Sequence, residues 1–344
     1  MVIIGLDVHR TLCQLCAVSE ETGEVIIEMQ VETNADALRK IVSGIRGEKK
    51  IVFEEGPMSG LIKDALKEVA EVISCDPTRN ALIARAEDAN DERDARRLVT
   101  LEMAGALKEV YVPEEPYRTL RSLTNHEYNI TNAVISIKSR IKAFCRQHGI
   151  TYRGKGIYSR KGRQRVFTSL PNKALVFQAK SLYRQFDLVR EEKIKAFMMI
   201  IKISKDIPVI EQLKTIPGLK DRTAPVLAAW IAKPERFKSR KALQSYAGLG
   251  IGQGYTNWKP VGRAYASKRG QRRLKRVLFI AAWAAVKKKC NRLKERFDLH
   301  ISSGWEQHAA IRDIARLILR IACRLWKKGR VYKDDLVALP EGRT

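Results

Sequence analysis

Asp91 and Asp94 stand three residues apart in the stretch Asp91-Glu-Arg-Asp94-Ala-Arg-Arg-Leu98, and apolar residues follow at Ala95, Leu98, Val99, Leu101 and Met103. That pattern predicts a helix with two carboxylates on one side of its first turn and an apolar face along the rest. A rigid carboxylate pair supplies the oxygen donors that a hard divalent cation such as Mg²⁺ takes. Alone, such a pair more often marks a solvated surface matched to nearby arginines. The reading therefore depends on acids elsewhere in the chain. Asp7 lies in an apolar run at 2–8 and Glu54 closes another at 50–54.

The elements that would position these acids follow from the patterning. Runs rich in β-branched residues at 2–8, 12–19 and 24–31 predict three consecutive strands, the last two separated by a turn at 20–23. A helix is predicted from Asn34, a capping residue, to Val42, then a strand at 50–54, a helix at 61–69 and a strand at 71–75. A further helical region begins at Asp76-Pro77 and ends in the Asp91/Asp94 helix. The order βββαβαβα builds a mixed five-stranded sheet with helices on both faces. It is the ribonuclease H-like order, in which the first and fourth strands are central neighbours. Asp7 and Glu54 would then meet, and the late helix would bring Asp91 and Asp94 to the same place.

Composition narrows the partners. The chain has 344 residues and a formal net charge of +27, from 65 Lys and Arg against 38 Asp and Glu. The excess is heaviest at 150–165 and 259–289, which indicates a polyanion, most simply nucleic acid. Six scattered cysteines form no disulfide framework, and the Cys13-x-x-Cys16 pair inside a strand run is expected to be core thiols rather than a zinc site. No apolar run reaches the roughly 18 residues of a membrane span. With no basic leader ahead of the first strand, a cytoplasmic protein with no membrane partner is expected.

Three domains are expected, at 1–112, 113–205 and 206–344. The boundary near Val112-Pro113 opens a helical run from Tyr117 to His148, and a second runs from about Ala174 to Ile203. Together they suggest an antiparallel hairpin, either a coiled coil used in self-association as a dimer or tetramer or, since the heptads are imperfect, an ordinary helical bundle. The basic insert between them, at 150–170, offers Arg153, Lys155, Arg160, Lys161 and Arg163 to a phosphate backbone, with Tyr152 and Tyr158 to stack on bases. Further on, residues 213–228 resemble a helix–hairpin–helix element whose Pro-Gly turn presents backbone N–H groups to phosphate, with Lys220 in place of a second glycine. A helix over 237–249 is followed by a glycine-rich loop over 250–262. A basic helix from Ser267 to about Lys289 then puts Lys268, Arg269, Arg272 and Arg273 in position for backbone contacts. Helices near 291–302 and 305–328 close the chain.

Four groups of residues carry a resemblance. They are Gly5-Leu-Asp7, Phe53-Glu54-Glu-Gly-Pro57, Asp91-x-x-Asp94-Ala-Arg-x-Leu98, and a C-terminal series. That series comprises Ile216-Pro-Gly218, Arg236-Phe237, Tyr246-Ala-Gly-Leu249 and Ser267-Lys-x-Gly270. In this order they resemble the DEDD transposases of the insertion-sequence family that includes the pilin-gene invertases and the bridge-RNA-guided recombinases. The resemblance implies a RuvC-like nuclease domain, a coiled-coil region and a mainly helical transposase domain. It assigns Asp7, Glu54, Asp91 and Asp94 to a tetrad binding Mg²⁺, with Mn²⁺ as the alternative ion. It further implies a structured noncoding guide RNA, DNA half-sites meeting between subunits, and a C-terminal serine that attacks DNA covalently. Counted without gaps from Tyr246, that serine falls on Thr256, whose hydroxyl is nucleophilic but hindered by β-branching. Two alternatives stay open. One is a Mg²⁺-dependent endonuclease on branched or RNA-paired DNA without strand exchange. The other is a nucleic-acid-binding derivative of a transposase.

Overall fold

The β-branched runs form β1 (Val2–Val8), β2 (Leu12–Ser19), β3 (Val25–Glu32), β4 (Lys49–Glu54) and β5 (Glu71–Cys75), joined by a two-residue β6 (Glu109–Val110). A computed structural model describes residues 1–76, 91–256, 259–266, 270–288 and 291–339, with side chains described except at 91–93 and 253–266. The helical region expected at 77–90 lies outside the described residues. The chain divides into two units, Met1–Arg118 and Thr119–Thr344.

In the first unit the sheet order is β3-β2-β1-β4-β5-β6. β1 runs antiparallel to β2 and parallel to β4, so the first and fourth strands are central neighbours. β6 is a sixth strand that a two-residue segment gives no periodicity to reveal. Side chains alternate across the pleat. Ile4, Leu6, Leu15, Ile51 and Phe53 face one way, into a cluster with Leu38 of α1 (Ala35–Gly44) and Ile62 of α2 (Ser59–Leu66). Ile3, Cys16, Val18, Val52 and Cys75 face the other way, against Ala95, Leu98 and Val99 of α3 (Asp91–Met103). Each fully buried Leu or Ile in such a core contributes roughly 1.5–3 kcal/mol. Asn34 caps α1 as expected, its Oδ1 accepting from the Ala37 N–H at 2.7 Å. Cys13 and Cys16 fall on opposite faces of β2, so the pair cannot hold one metal ion.

The second unit is mainly helical. α4 (Tyr117–Gln147) and α6 (Lys173–Ser204) form an antiparallel pair. Glu127 lies 3.8 Å from Lys193, while Arg140 further along α4 donates to Gln185 further back on α6. The segment between them is ordered as a turn of 3₁₀ helix (Gly156–Tyr158) and α5 (Arg160–Thr168), capped by the Ser159 hydroxyl. There follow α7 (Pro208–Lys214), α8 (Ala224–Ile231), α9 (Arg240–Tyr246), α10 (Arg272–Val286), α11 (Arg292–Ser302) and α12 (Gln307–Lys328). α12 packs on α10 and buries Ile311, Ile314, Ile318 and Leu325. Over 250–262 the structure departs from the expected loop. β7 (Ile251–Thr256) and β8 (Lys259–Ala266) pair as an antiparallel hairpin. Glycines at 252, 254 and 262 hide the strand signal, because glycine carries no side chain to report alternation. Among the described residues no helix is long and apolar enough to cross a membrane.

Candidate active site

Gly5 sets the geometry around the acids. A Cβ built there would lie 2.1 Å from the Ala95 carbonyl oxygen and 3.0 Å from Val99 Cγ2. The backbone of α3 therefore rests directly on β1, an approach only glycine permits. At the other end of the helix, Glu102 accepts from Lys50 Nζ at 2.8 Å, and Lys50 lies near the start of β4. With Gly5 opposite Ala95 and Lys50 opposite Glu102, α3 runs antiparallel to β1 and β4. Two residues along a strand cover about 6.6 Å and four along a helix about 6 Å. Moving from Gly5 to Asp7 thus corresponds to moving from Ala95 to the first turn of α3, which carries Asp91 and Asp94. Arg96 anchors this helix to β3 through a bidentate ion pair with Glu28, with Arg96 Nε donating to Oε1 at 2.8 Å. That pairing holds the Glu28 carboxyl below its usual range.

Asp7 and Glu54 share the sheet face that α3 covers. Leu6 pairs with Phe53 across the parallel ladder, so Asp7 and Glu54 occupy the next register position, at the C-terminal ends of both strands. The turn after Glu54 is fixed by Ser59, whose buried hydroxyl accepts from the Gly56 N–H at 2.8 Å and donates to the Gly56 carbonyl at 2.9 Å. Asp7 Oδ2 lies 3.0 Å from His9 Nε2, and Asp94 Oδ1 accepts from Arg97 Nη1 at 2.8 Å. The structure thus brings Asp7, Glu54 and Asp94 to one end and one face of the sheet. It does not close them on a single point, and among the described residues no three His, Cys, Asp or Glu side chains form a metal-holding group. The Asp91 side chain lies outside the described set.

Gln14 is a neighbour that sequence patterning overlooks. It pairs directly across from Asp7 on β2, so it shares the α3 face. It is 5% exposed, and its Oε1 is buried without a hydrogen-bond partner among the described residues. A buried carbonyl oxygen left unpaired costs about 1–3 kcal/mol. Such an oxygen beside carboxylates makes up an all-oxygen donor set, which is the kind that fits Mg²⁺. A lone Gln in a strand run gives no motif, and only the cross-strand register brings it out.

The basic candidates divide into two kinds. Arg153, Lys155, Arg160 and Lys161 are exposed, and Arg153, Lys161 and Arg165 line an open cleft of about 650 Å³. Arg163 instead turns inward. It forms a bidentate pair with Asp187 of α6, donates to the Tyr158 carbonyl at 3.1 Å, and lies over the Tyr183 ring. The insert's tyrosines are packed as well, Tyr158 stacking on Phe186 with ring centroids 5.1 Å apart. Lys220 is exposed, but the turn that carries it uses its amides internally. The Lys220 N–H donates to Thr223 Oγ1 at 2.8 Å, and the Leu219 N–H to the Ile216 carbonyl at 3.0 Å. Gly218, at φ +92°, belongs there because a Cβ would collide with the Ala281 carbonyl of α10. Arg272 is exposed and Arg273 is half-buried, while Lys268 and Arg269 lie outside the described residues.

Thr256 ends β7, paired with Lys259, and its side chain is outside the described set. The base of the hairpin is held firmly. Arg316 of α12 donates through Nε and Nη2 to the Leu249 carbonyl at 2.8 and 2.5 Å, and the Gln271 N–H donates to the Tyr246 carbonyl at 2.7 Å. Gly270, at φ +103°, sits where a Cβ would come within 2.5 Å of the Gly248 nitrogen and the Ser245 carbonyl.

A mixed sheet of this order, with acids at the C-terminal ends of its central strands and a helix laid antiparallel across them, defines the ribonuclease H-like class. The chain belongs to the DEDD transposases of the IS116/IS110/IS902 family. Residues 4–150 match that family's DEDD transposase model and residues 210–298 match the model described as Transposase IS116/IS110/IS902 family, together well over half the chain. A protein of Sinorhizobium fredii named as a transposase is 26% identical over 288 residues, covering 81% of this chain and 70% of its own.

Proposed function

We propose that this transposase cuts and rejoins DNA with a divalent cation held by Asp7, Glu54, Asp91 and Asp94 and with Thr256 as the covalent nucleophile. A structured noncoding RNA chooses the DNA sequences, and the chain works as a homo-oligomer. The observation that supports the site most strongly is the antiparallel course of α3 over β1 and β4, which puts its first turn above Asp7 and Glu54. When bound, the cation (Mg²⁺, or Mn²⁺ in its place) stabilises the attacking and leaving oxygens of an in-line displacement.

The residues of the chain divide the remaining work. The Thr256 hydroxyl releases its proton to water as its oxygen bonds to phosphorus, and the phosphorus–oxygen bond to the neighbouring sugar breaks. That sugar oxygen takes up a proton. Attack by a hydroxyl of a second DNA strand reverses these events and frees the threonine. Exposed Arg153, Lys155, Arg160 and Lys161 supply sequence-independent contacts to the nucleic-acid backbone.

The test incubates the protein with its flanking-sequence RNA, substrate DNA and Mg²⁺ and resolves the products on a denaturing protein gel. A slow protein–DNA band that disappears in Thr256→Ala and persists in Thr256→Ser supports covalent strand exchange. Cleaved DNA without a band, unaffected by Thr256→Ala and abolished by Asp94→Asn, supports the endonuclease reading instead. That second reading is favoured by the threonine itself, since β-branching slows attack by a hindered hydroxyl.

A further inference from the structure

The second unit holds a cavity of about 210 Å³ between α4, α6, α10 and the turn ahead of α8. One wall is apolar, built from Phe197, Ile200, Val226 and Val277. The lining is also cationic, with Lys193, Arg222, Arg273 and Arg276. Arg273 and Arg276, one turn apart on α10, lie over the Tyr128 ring with guanidinium carbons 4.8 and 5.4 Å from its centroid. Arg222 covers the Phe197 ring at 4.0 Å.

The charges inside are only partly matched. Glu127 lies 3.6 Å from Arg222 and 3.8 Å from Lys193, and it accepts from Thr131 Oγ1 at 3.1 Å. Asp221 at the rim is taken by Lys214 at 2.7 Å. Among the described residues neither Arg273 nor Arg276 meets a carboxylate. Burial holds the Arg273 guanidinium below its usual range.

We propose that this pocket takes one unstacked nucleotide of a bound strand, base inside and phosphate on Arg273 and Arg276. The volume is too large for a phosphate alone, since it would hold about seven waters. Apolar walls with aromatic and guanidinium faces are what a splayed base stacks on. The remaining capacity of the Glu127 carboxylate suits an amino group on a base edge, such as cytosine N4 or adenine N6. The inference rests on the nucleic-acid reading of the chain but names a site built from residues other than the carboxylates and Thr256.

The test uses the full chain and fluorescein-labelled single-stranded octamers of DNA and of RNA, each made intact or with its central bases removed. Affinities are read by fluorescence anisotropy at two salt concentrations for the wild type, Ile280→Trp and Arg276→Gln. Ile280 lines the pocket and is 47% exposed, so the tryptophan has room to fill the opening, and thermal melts confirm that both variants fold. Removing the bases is expected to weaken wild-type binding about tenfold. Ile280→Trp should weaken the intact octamer about as much and leave the base-free one unchanged. Arg276→Gln should weaken both and lower the salt slope by about one. Whichever strand shows this pattern, DNA or RNA, is the one that supplies the nucleotide. Equal affinity of wild type and Ile280→Trp for intact octamers of both kinds overturns the pocket while leaving DNA cleavage untouched. Failure of the wild type to bind either strand overturns the nucleic-acid reading beneath it.

Discussion

The acid-bearing end of the first unit and the hydroxyl-bearing hairpin of the second are built in opposite ways. Asp7 and Glu54 end two central strands whose registers are fixed by neighbours on both sides, and α3 is seated on the sheet by a glycine contact with β1, a Lys50–Glu102 pair to β4 and an Arg96–Glu28 pair to β3. Thr256 stands at the far end of a two-stranded ribbon, a structure of marginal stability by itself. Its position depends on what grips the base of that ribbon, above all Arg316 and the close approach of Gly270 to Gly248. The acids are positioned by a core, the hydroxyl by a clamp. Damage to the core should therefore cost stability and cleavage together, and damage to the clamp should cost strand joining out of proportion to stability.

The largest effect is expected at the acids themselves. Asp7→Asn or Asp94→Asn should lower DNA cleavage by roughly 10³-fold, several kcal/mol of transition-state stabilisation, with little change in melting temperature. A chelator should do the same to the wild type, and added Mg²⁺ or Mn²⁺ should restore it. Next comes Gly5→Ala, which forces a methyl against the Ala95 carbonyl. A loss of about 3 kcal/mol in thermal or denaturant unfolding is expected, with cleavage falling alongside. Cleavage intact in a destabilised Gly5→Ala protein would break the link drawn between the helix seat and the site.

Arg316→Met removes two charge-assisted hydrogen bonds to one carbonyl. About 1–2 kcal/mol of stability should go, while formation of the protein–DNA adduct drops severalfold further than DNA binding does. The smallest effect concerns acid. Arg96 holds Glu28 below its usual carboxyl range, so this pair stabilises the fold above the unfolded carboxyl value and is lost as pH falls through the lowered folded value. The exposed position of Arg96 limits the effect to about 0.5 kcal/mol. Unfolding free energies from urea melts between pH 6 and pH 3 should fall by that much less in Glu28→Gln than in the wild type.

Much of the first unit was legible because its signals are local. Strand runs, the Asn34 cap and the apolar face behind Asp94 each lie within a few residues, and the element order then fixed which strands are neighbours. The rest depended on contacts distant in sequence. Gly5 reads as an ordinary strand glycine until α3 is laid on it, and Gln14 carries no motif until β2 pairs with β1. Arg163 looked like a phosphate contact because its charge is visible and its partner, Asp187 on another helix, is not. The 250–262 segment read as a loop because its glycines erase the alternation that marks a hairpin. Even the amides of the Pro-Gly turn, counted as phosphate donors from the motif, prove to be spent on Ile216 and Thr223.

Calorimetric titration of the full chain with Mn²⁺, in wild type and in Asp7→Asn and Asp94→Asn, tests the central claim most directly. The account expects saturable binding in the wild type that weakens at least tenfold in either variant, each still folded by thermal melt. Equal affinity and enthalpy in all three proteins would show that these acids, although brought to one end of the sheet, do not hold the ion.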